Sequence, residues 1–529
     1  MLPTLTPEMA CQLTTDMFNK QGNLLSLWQV LGDNFYPERS DFRYQNTLGS
    51  ELADATVDSY PLIARRDLGN SFHAMLRDGQ WFELTVGQGV ETDRDGLMWM
   101  EYATKKQFKA ISTRESNFER AVKNGDMDFA TFGNTVISIE PNKTFNGVVF
   151  RNWHLRDCAW EEDESGNVET VARKWTPTLH DMARIFGIES LSNEQKKTFE
   201  KTPFATTSVQ HLVVPAELTH DERFIGKYKY VSMFIDTKNK RFIEQRGINY
   251  KYYVVPRFQT IAGSAYAYSP ATIVALPDAR TLQAMTYTLL EAAERYARPP
   301  IVATQQVVTG VVDLRPNGIT WVDNEYDERL GAALRSLDQN KGGYPIGATE
   351  RGRIYDILNK AFYLDTLSLP LDGQEMTAYE VQERMKQYRR ANLPLFAPME
   401  KDYNGQLCET TFDLMMMMGQ FGSPHDIPMS LQGQDVAFKY KSPLTSDEEE
   451  EKMNRFQQTS QMLREAVELD PAVSDNLDFD AAFRDAVDGI KAPLKWLRPD
   501  EEVAQVRESR LAQQAAQMAA EAGGTGAPG

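Results

Sequence analysis

Catalysis would have to come from a thin set of residues in this chain. The six histidines stand at positions 73, 154, 180, 211, 220 and 425, and no two share the i, i+4 spacing that puts a metal-binding pair on one helical face. Ser71, in Gly69-Asn-Ser-Phe-His73, begins like the sharp turn that exposes a nucleophilic serine. The closing glycine is missing, and no strand is expected before it. Glu161-Glu-Asp-Glu164 offers the carboxylates that a two-metal nuclease needs, but the following Ser165-Gly166-Asn167 makes it read as a solvated turn between strands. The sole Gly-Lys pair, Gly226-Lys227, is followed by Tyr228, so no phosphate-cradling loop is present. Gly87-Gln-Gly89 is an isolated turn fragment. The acids from Asp447 to Glu451 do not alternate with spacers as a calcium loop requires; they suit the positive end of a helix dipole. The expectation is a protein that is not an enzyme and takes no metal or cofactor.

What remains must be explained by assembly and binding. At 529 residues the chain needs two to four domains, and 41% hydrophobic with 10% aromatic residues is enough to build them. Net charge is −18, from 75 acidic and 57 basic residues, the wrong sign for gripping nucleic acid through its phosphates. Residues 444–529 hold 18 acids against 9 bases, half of that total. Cys11, Cys158 and Cys408 lie far apart, which points to a reducing compartment without disulfides. No basic, then apolar N-terminal leader is read, and no apolar run is long enough to span a bilayer, so the expectation is a soluble chain made in the cytoplasm.

The segments divide into a mixed first half and a helical second half. Periodicity predicts helices over about 7–31, 56–76 and 95–123. Short strands with turns are expected between 131 and 171, and again at 228–236, 241–243 and 250–255. Ser269 as N-cap and Pro270 at the first helical position open a rod that Pro299-Pro300 ends, with a kink expected at Pro277. Its apolar seam is Leu282, Met285, Leu289, Ala292 and Tyr296. A polar excursion over 301–347 contains a hairpin signal at Val307–Val312 and Ile319–Val322. A second rod begins near Thr349 with Ile354, Ile357, Leu358, Ala361 and Leu364 as its seam. Leu369-Pro-Leu-Asp-Gly373 breaks it, and the capping box Thr377…Glu380 starts a helix bearing Arg384, Lys386, Arg389 and Arg390. A further helix to Met418, a strand at Val436–Tyr440 and acidic helices to about Glu521 follow. Two rods running out to an excursion and back, with a short apolar loop at the near end, suit a subunit that lines a channel.

Read in order, these pieces resemble the head-to-tail connecting (portal) proteins of short-tailed, T7-like phages. The resemblance rests on Trp28, Tyr36-Pro-Glu-Arg-Ser-Asp-Phe42, Ala64-Arg-Arg66, Gly79-Gln-Trp-Phe82, Phe132-Gly-Asn134 and Tyr253-Val-Val-Pro-Arg257. It continues through Gly263-Ser-Ala-Tyr266, Ser269-Pro270, Leu276-Pro-Asp278, Arg298-Pro-Pro300, Met376 to Arg384 and Tyr440-Lys-Ser-Pro-Leu444.

The resemblance implies an α+β, mainly helical portal fold assembled as a ring, usually of twelve subunits, at one capsid vertex. It implies a wing over 1–268 completed by 398–443, stem helices over 269–298 and 348–366, and a clip over 299–347. A tunnel loop would span 367–376, a post-loop helix 377–397, a crown 444–521 and a disordered tail 522–529. Tunnel-loop residues would be Ser368, Leu369, Pro370, Leu371, Asp372, Gly373 and Gln374, and clip docking residues Asp313, Arg315, Asn317, Asp323 and Glu325. Arg384, Lys386, Arg389 and Arg390 would be solvated or would meet DNA or the neighbouring subunit. The implied partners are other copies of the chain, double-stranded DNA in the channel, the terminase large subunit, tail adaptor and tubular proteins, and major capsid and scaffolding proteins, with no membrane. An internal scaffold or ejection protein is the other alternative, and it would lack the rod–excursion–rod pattern.

Overall fold

The computed structural model describes residues 3–47, 49–54, 56–87, 93–297, 301–303, 334–336, 343–367, 387, 391, 396, 399–441, 447–469, 472, 477–489 and 496–523. The opening helical stretch is two helices, α1 (Pro7–Lys20) and α2 (Gly22–Phe35). Periodicity runs through the break, but buried Gln21 turns its amide to the carbonyls of Leu155 and Cys158, and Gly22 follows it. Next come α3 (Tyr60–Leu76) and β1 (Phe82–Val86). The stretch expected as one helix over 95–123 is α4 (Arg94–Ile111) and α5 (Phe118–Phe132), separated by a turn in which Asn117 adopts φ 56°.

The strand-rich module follows as β2 (Val136–Pro141), β3 (Val148–Trp153), β4 (Cys158–Glu162), β5 (Val168–Trp175), α6 (Leu179–Phe186), α7 (Asn193–Lys201), β6 (Val209–Pro215), β7 (Tyr230–Asp236) and β8 (Arg241–Ile248). Short strands β9 (Tyr253–Val254), β10 (Gln259–Thr260) and β11 (Ala267–Tyr268) lead into α8 (Pro270–Ala297). β12 (Ile301–Ala303) pairs antiparallel with β13 (Leu334–Ser336). α9 (Gly343–Ala361) starts six residues before the expected Thr349, and the turn α10 (Leu364–Leu367) ends this part. Helix Gln406–Met417, β14 (Val436–Tyr440) and helices Asp447–Leu469, Phe479–Gly489 and Asp500–Gly523 complete the order. The fold is mixed helix and strand.

The chain forms two compact units. The first comprises 1–72, 120–138 and 151–391. Its centre is the antiparallel sheet β4-β5-β6-β7-β8. Strand alternation buries Ala159, Ala172, Leu212, Val214, Val231, Met233 and Ile235 on one face, where Ala10, Met17 and Phe18 of α1 cover them. The helical excursion between β5 and β6 covers a second cluster of Leu179, Met182, Leu191 and Val209. An aromatic knot joins the sheet to the helices. Trp28 lies 5.6 Å from Phe42, 6.3 Å from Phe132, 6.5 Å from Trp160 and 6.1 Å from Tyr266.

The second unit comprises 73–119, 139–150 and 392–529. β1 pairs with β14 from Phe82↔Tyr440 to Val86↔Val436, and Leu84 N–H donates to Thr104 Oγ on α4 at 2.9 Å. Arg77 crosses to helix-borne groups, donating to Asn404 Oδ1 at 2.9 Å and lying 4.5 Å over the Tyr403 ring. A groove of about 740 Å³ is lined by Trp99, Met100, Phe412, Met416, Ile427 and Phe438 among others, and no histidine, cysteine, lysine or arginine stands in its wall among the described residues.

Candidate functional site

The residues considered for catalysis are occupied in structural roles. Ser71 sits inside α3 and its hydroxyl donates to Leu68 O at 2.6 Å. Glu161 pairs with Lys20 and Glu162 with Arg257, while Asp163 Oδ1 accepts the N–H groups of Ser165 and Asn167 and closes the β4–β5 turn. Adjacent strand residues point to opposite faces, so these carboxylates do not converge on one ion. Among the described residues, no group of three metal-ligating side chains comes together.

His211 is fully buried, and its surroundings fix its tautomer. Arg173 Nε donates to the Tyr253 hydroxyl at 2.8 Å, leaving Tyr253 to donate its own proton to His211 Nδ1, 2.5 Å away. His211 therefore carries its hydrogen on Nε2 and donates to Ser232 Oγ at 2.8 Å. Burial, then the nearby Arg173 charge, push the imidazole well below its ordinary 6.5. Above that value neither the folded nor the unfolded chain binds the proton. Below it the unfolded chain takes up a proton that the folded chain refuses, so stability falls as pH drops. The slope is about 1.4 kcal/mol per pH unit, until the depressed folded value is reached. Urea midpoints between about pH 7.5 and 5.5 should show this loss, and His211→Gln should remove that part of the slope.

The conspicuous arrangement is the pair of rods, α8 and α9. α8 is seated at its start by side-chain bonds to α5: Ser269 Oγ donates to Ala130 O at 2.6 Å and Thr272 Oγ to Thr131 O at 2.7 Å. Ala271, Ala275 and Ala279, one turn apart, are fully buried, and α8 also packs on α2. Farther along, α8 packs on α9. Of the expected seam, Leu282, Ile354 and Leu358 are buried, and Met285, Leu289, Ala292, Ile357 and Ala361 are half-buried. Gly347 permits the close approach at the α9 start, since a Cβ there would stand 2.6 Å from Leu289 Cδ2. Phe362, just beyond α9, packs edge-on against Phe35 of α2 at 5.6 Å. Pro277 lies inside α8, which runs continuously from Pro270 to Ala297.

α8 has a second apolar face that the seam does not use. On that face Tyr287 is 61% exposed and Leu290 54%; nearer the start of the helix Ile273 and Val274 are exposed too, Val274 on the seam's own side. The seam pattern did not include these residues, although they lie on a helix with few charges.

Other positions singled out in the sequence fall elsewhere. The side chain of Tyr296 lies outside the described residues, as do 368–374, Arg384, Lys386, Arg389 and Arg390. So do the hairpin expected at 307–322 and the clip residues Asp313, Arg315, Asn317, Asp323 and Glu325; the strand at 301–303 pairs with 334–336. The motif over 36–42 is a fastening for the core. Arg65 lies 4.0 Å over the Tyr36 ring, Arg39 forks onto Asp128, and Asp41 meets His154 and Arg156. Burial opposes ionisation of Asp41, but the hydrogen bond and charges of His154 and Arg156 bring its carboxyl down to about 2.

These features have relatives. A probable portal protein of Bordetella phage BPP-1 is 24% identical over 94% of this chain and 90% of its own length. The portal protein of Salmonella phage epsilon15 is 21% identical over 95% and 91%. A chain in the neck of an empty gene transfer agent particle covers 75% of this chain and 86% of its own at 8% identity, with a TM-score of 0.37, too low to bear on the fold. The model of the bacteriophage head to tail connecting protein family matches residues 10–497, and the chain belongs to that family.

Proposed function

We propose that this chain is the subunit of a portal ring, of twelve copies as the family resemblance implies, whose channel passes double-stranded DNA at one capsid vertex. The observation that carries the reading is the second apolar face of α8. Its inner seam is satisfied by α9 within the chain, yet Tyr287 and Leu290 on the opposite side remain exposed, as expected where neighbouring rods stand side by side. Charge supports it too. Twelve copies at −18 would carry −216, a ring whose wall repels phosphates and lets a duplex slide.

In this reading 1–268 with 398–443 form the wing, α8 and α9 the stem, 299–347 the clip, 367–376 the tunnel loop and 444–521 the crown. The ring supplies no chemistry of its own. An ATP-driven terminase large subunit docks during packaging and tail adaptor and tubular proteins later, with capsid and scaffolding proteins around the wing. The pairing of Glu161 and Glu162 with cations supports a structural role over a nuclease one.

Electron microscopy of the purified protein should show closed rings with an axial opening. Tyr287→Asp combined with Leu290→Asp places two charges in the proposed contact and should convert rings to folded monomers, read by native mass spectrometry. A monomeric parent, or solid particles, would overturn the ring.

A further inference from the structure

Between α2 and α3 the chain passes through a loop, 57–60, that touches both rods. Gln283 of α8 meets its backbone reciprocally: Nε2 donates to Asp58 O at 2.7 Å, and Oε1 accepts the N–H groups of Val57 and Asp58, each at 2.9 Å. The Asp58 carboxylate then spans the two helices. Oδ2 accepts from Tyr355 Oη of α9 at 2.7 Å and from Thr286 Oγ of α8 at 3.2 Å, while Oδ1 accepts Tyr60 N–H at 3.0 Å. Tyr60 adds its ring, 4.4 Å from that of Tyr355, and a hydroxyl bond to Asn359. Burial, with Asp58 beside it, pushes the Tyr355 hydroxyl up to about 12, so it stays a donor across the neutral range.

We propose that Asp58 and Gln283 form a register key: a polar fastening that sets the position of both rods against the N-terminal helical layer and admits one position of α8. The sequence of α8 supplies the selectivity. A slip of one turn brings Leu282 or Leu290 to the place of Thr286, and Ala279 or Tyr287 to the place of Gln283. Ala279 offers neither donor nor acceptor, Tyr287 has one hydroxyl at the end of a rigid ring where Gln283 has a separate amide N–H and C=O, and a leucine against the carboxylate leaves it without the α8 bond. Unpartnered polar groups at a half-buried site are costly, so the slipped state is disfavoured. The positions matter because α8 and α9 are the rods of the proposed channel. Force transmitted along them would reach α3, whose Ala64, Leu68 and Phe72 are core residues, through this loop.

Hydrogen–deuterium exchange on the purified full-length chain tests the key. Asp58→Ala should speed exchange of amides 283–290 and 352–359 by about tenfold or more, with β6 amides unchanged. Asp58→Asn keeps one acceptor oxygen for the rods and should stay within about threefold of the parent. If Asp58→Ala does not fold, Gln283→Ala and Thr286→Val remove only the α8 side and should speed amides 283–290 by about tenfold. Rod exchange unchanged by these substitutions overturns the proposal, as does an equal rise in β6. The proposal rests on the channel reading for its purpose only. Absent rings would sink that reading and leave the key standing, whereas unchanged exchange would do the reverse.

Discussion

Gly133→Ala is expected to cost about 4 kcal/mol or more, whereas Gly79→Ala costs only about 1 kcal/mol. Both glycines have positive φ, +74° and +58°, so both substitutions put an L side chain in the left-handed region. The difference lies in the surroundings. A Cβ at Gly79 meets nothing within 4 Å, whereas one at Gly133 would stand 2.2 Å from the Tyr268 carbonyl carbon and 2.4 Å from Ser269 N. Those atoms are backbone and cannot rotate away. They are also held from both sides: Asn134 Nδ2 donates to Ala267 O at 2.7 Å, Asn134 Oδ1 accepts Ala267 N–H at 2.9 Å, and Phe258 N–H donates to Gly133 O at 2.8 Å. Relief requires moving Tyr268 and Ser269, which open α8. Urea unfolding of the two variants should separate them by several kcal/mol, and near-equal midpoints would show that the junction yields easily.

That junction also shows what a linear reading can and cannot supply. Phe132-Gly-Asn134 and Gly263 to Ser269 stand out in sequence as two separate marks. Their contact is invisible there, because apolar periodicity identifies a buried face without identifying its partner. The same limit explains the pairing of β14. The strand Val436–Tyr440 is legible, yet its partner Phe82–Val86 lies 350 or more residues away, and the only local sign of that partner is the alternation of Phe82, Leu84 and Val86. Helix breaks at Gln21 and around Asn117 were missed because the apolar spacing continues across them; Gly22 in the first case, and Ser112-Thr113 in the second, were the local signals. The rod seam was legible at Leu282, Ile354 and Leu358, since burial follows the helical period. Asp58 and Gln283 were not, because a polar residue in a loop or on a helix gives no sign of what it will bond.

Replacing Arg39 by Met should destabilise the first compact unit by about 3–5 kcal/mol, because it strands a buried anion. Arg39 Nε donates to Asp128 Oδ1 at 3.1 Å and Nη2 to Oδ2 at 2.9 Å, a two-point fork. Nη2 also donates to Asn152 Oδ1 at 3.0 Å and to Trp153 O at 3.2 Å, so one side chain ties the 36–42 motif to α5 and β3. The Asp128 side chain is 1% exposed and that of Arg39 is 24% exposed, so loss of the cation leaves a carboxylate that water cannot reach. The alkyl stem of Met retains most of the packing, so the cost measured is electrostatic. Adding Asp128→Leu to Arg39→Met should recover more than half of the loss, since the pair together costs less to remove than either partner alone. The four chains of that double-mutant cycle, compared by urea midpoint, decide the matter. A single substitution as mild as the double would mean that solvent or a rearranged neighbour already serves Asp128, and that the motif holds the fold by shape instead of charge.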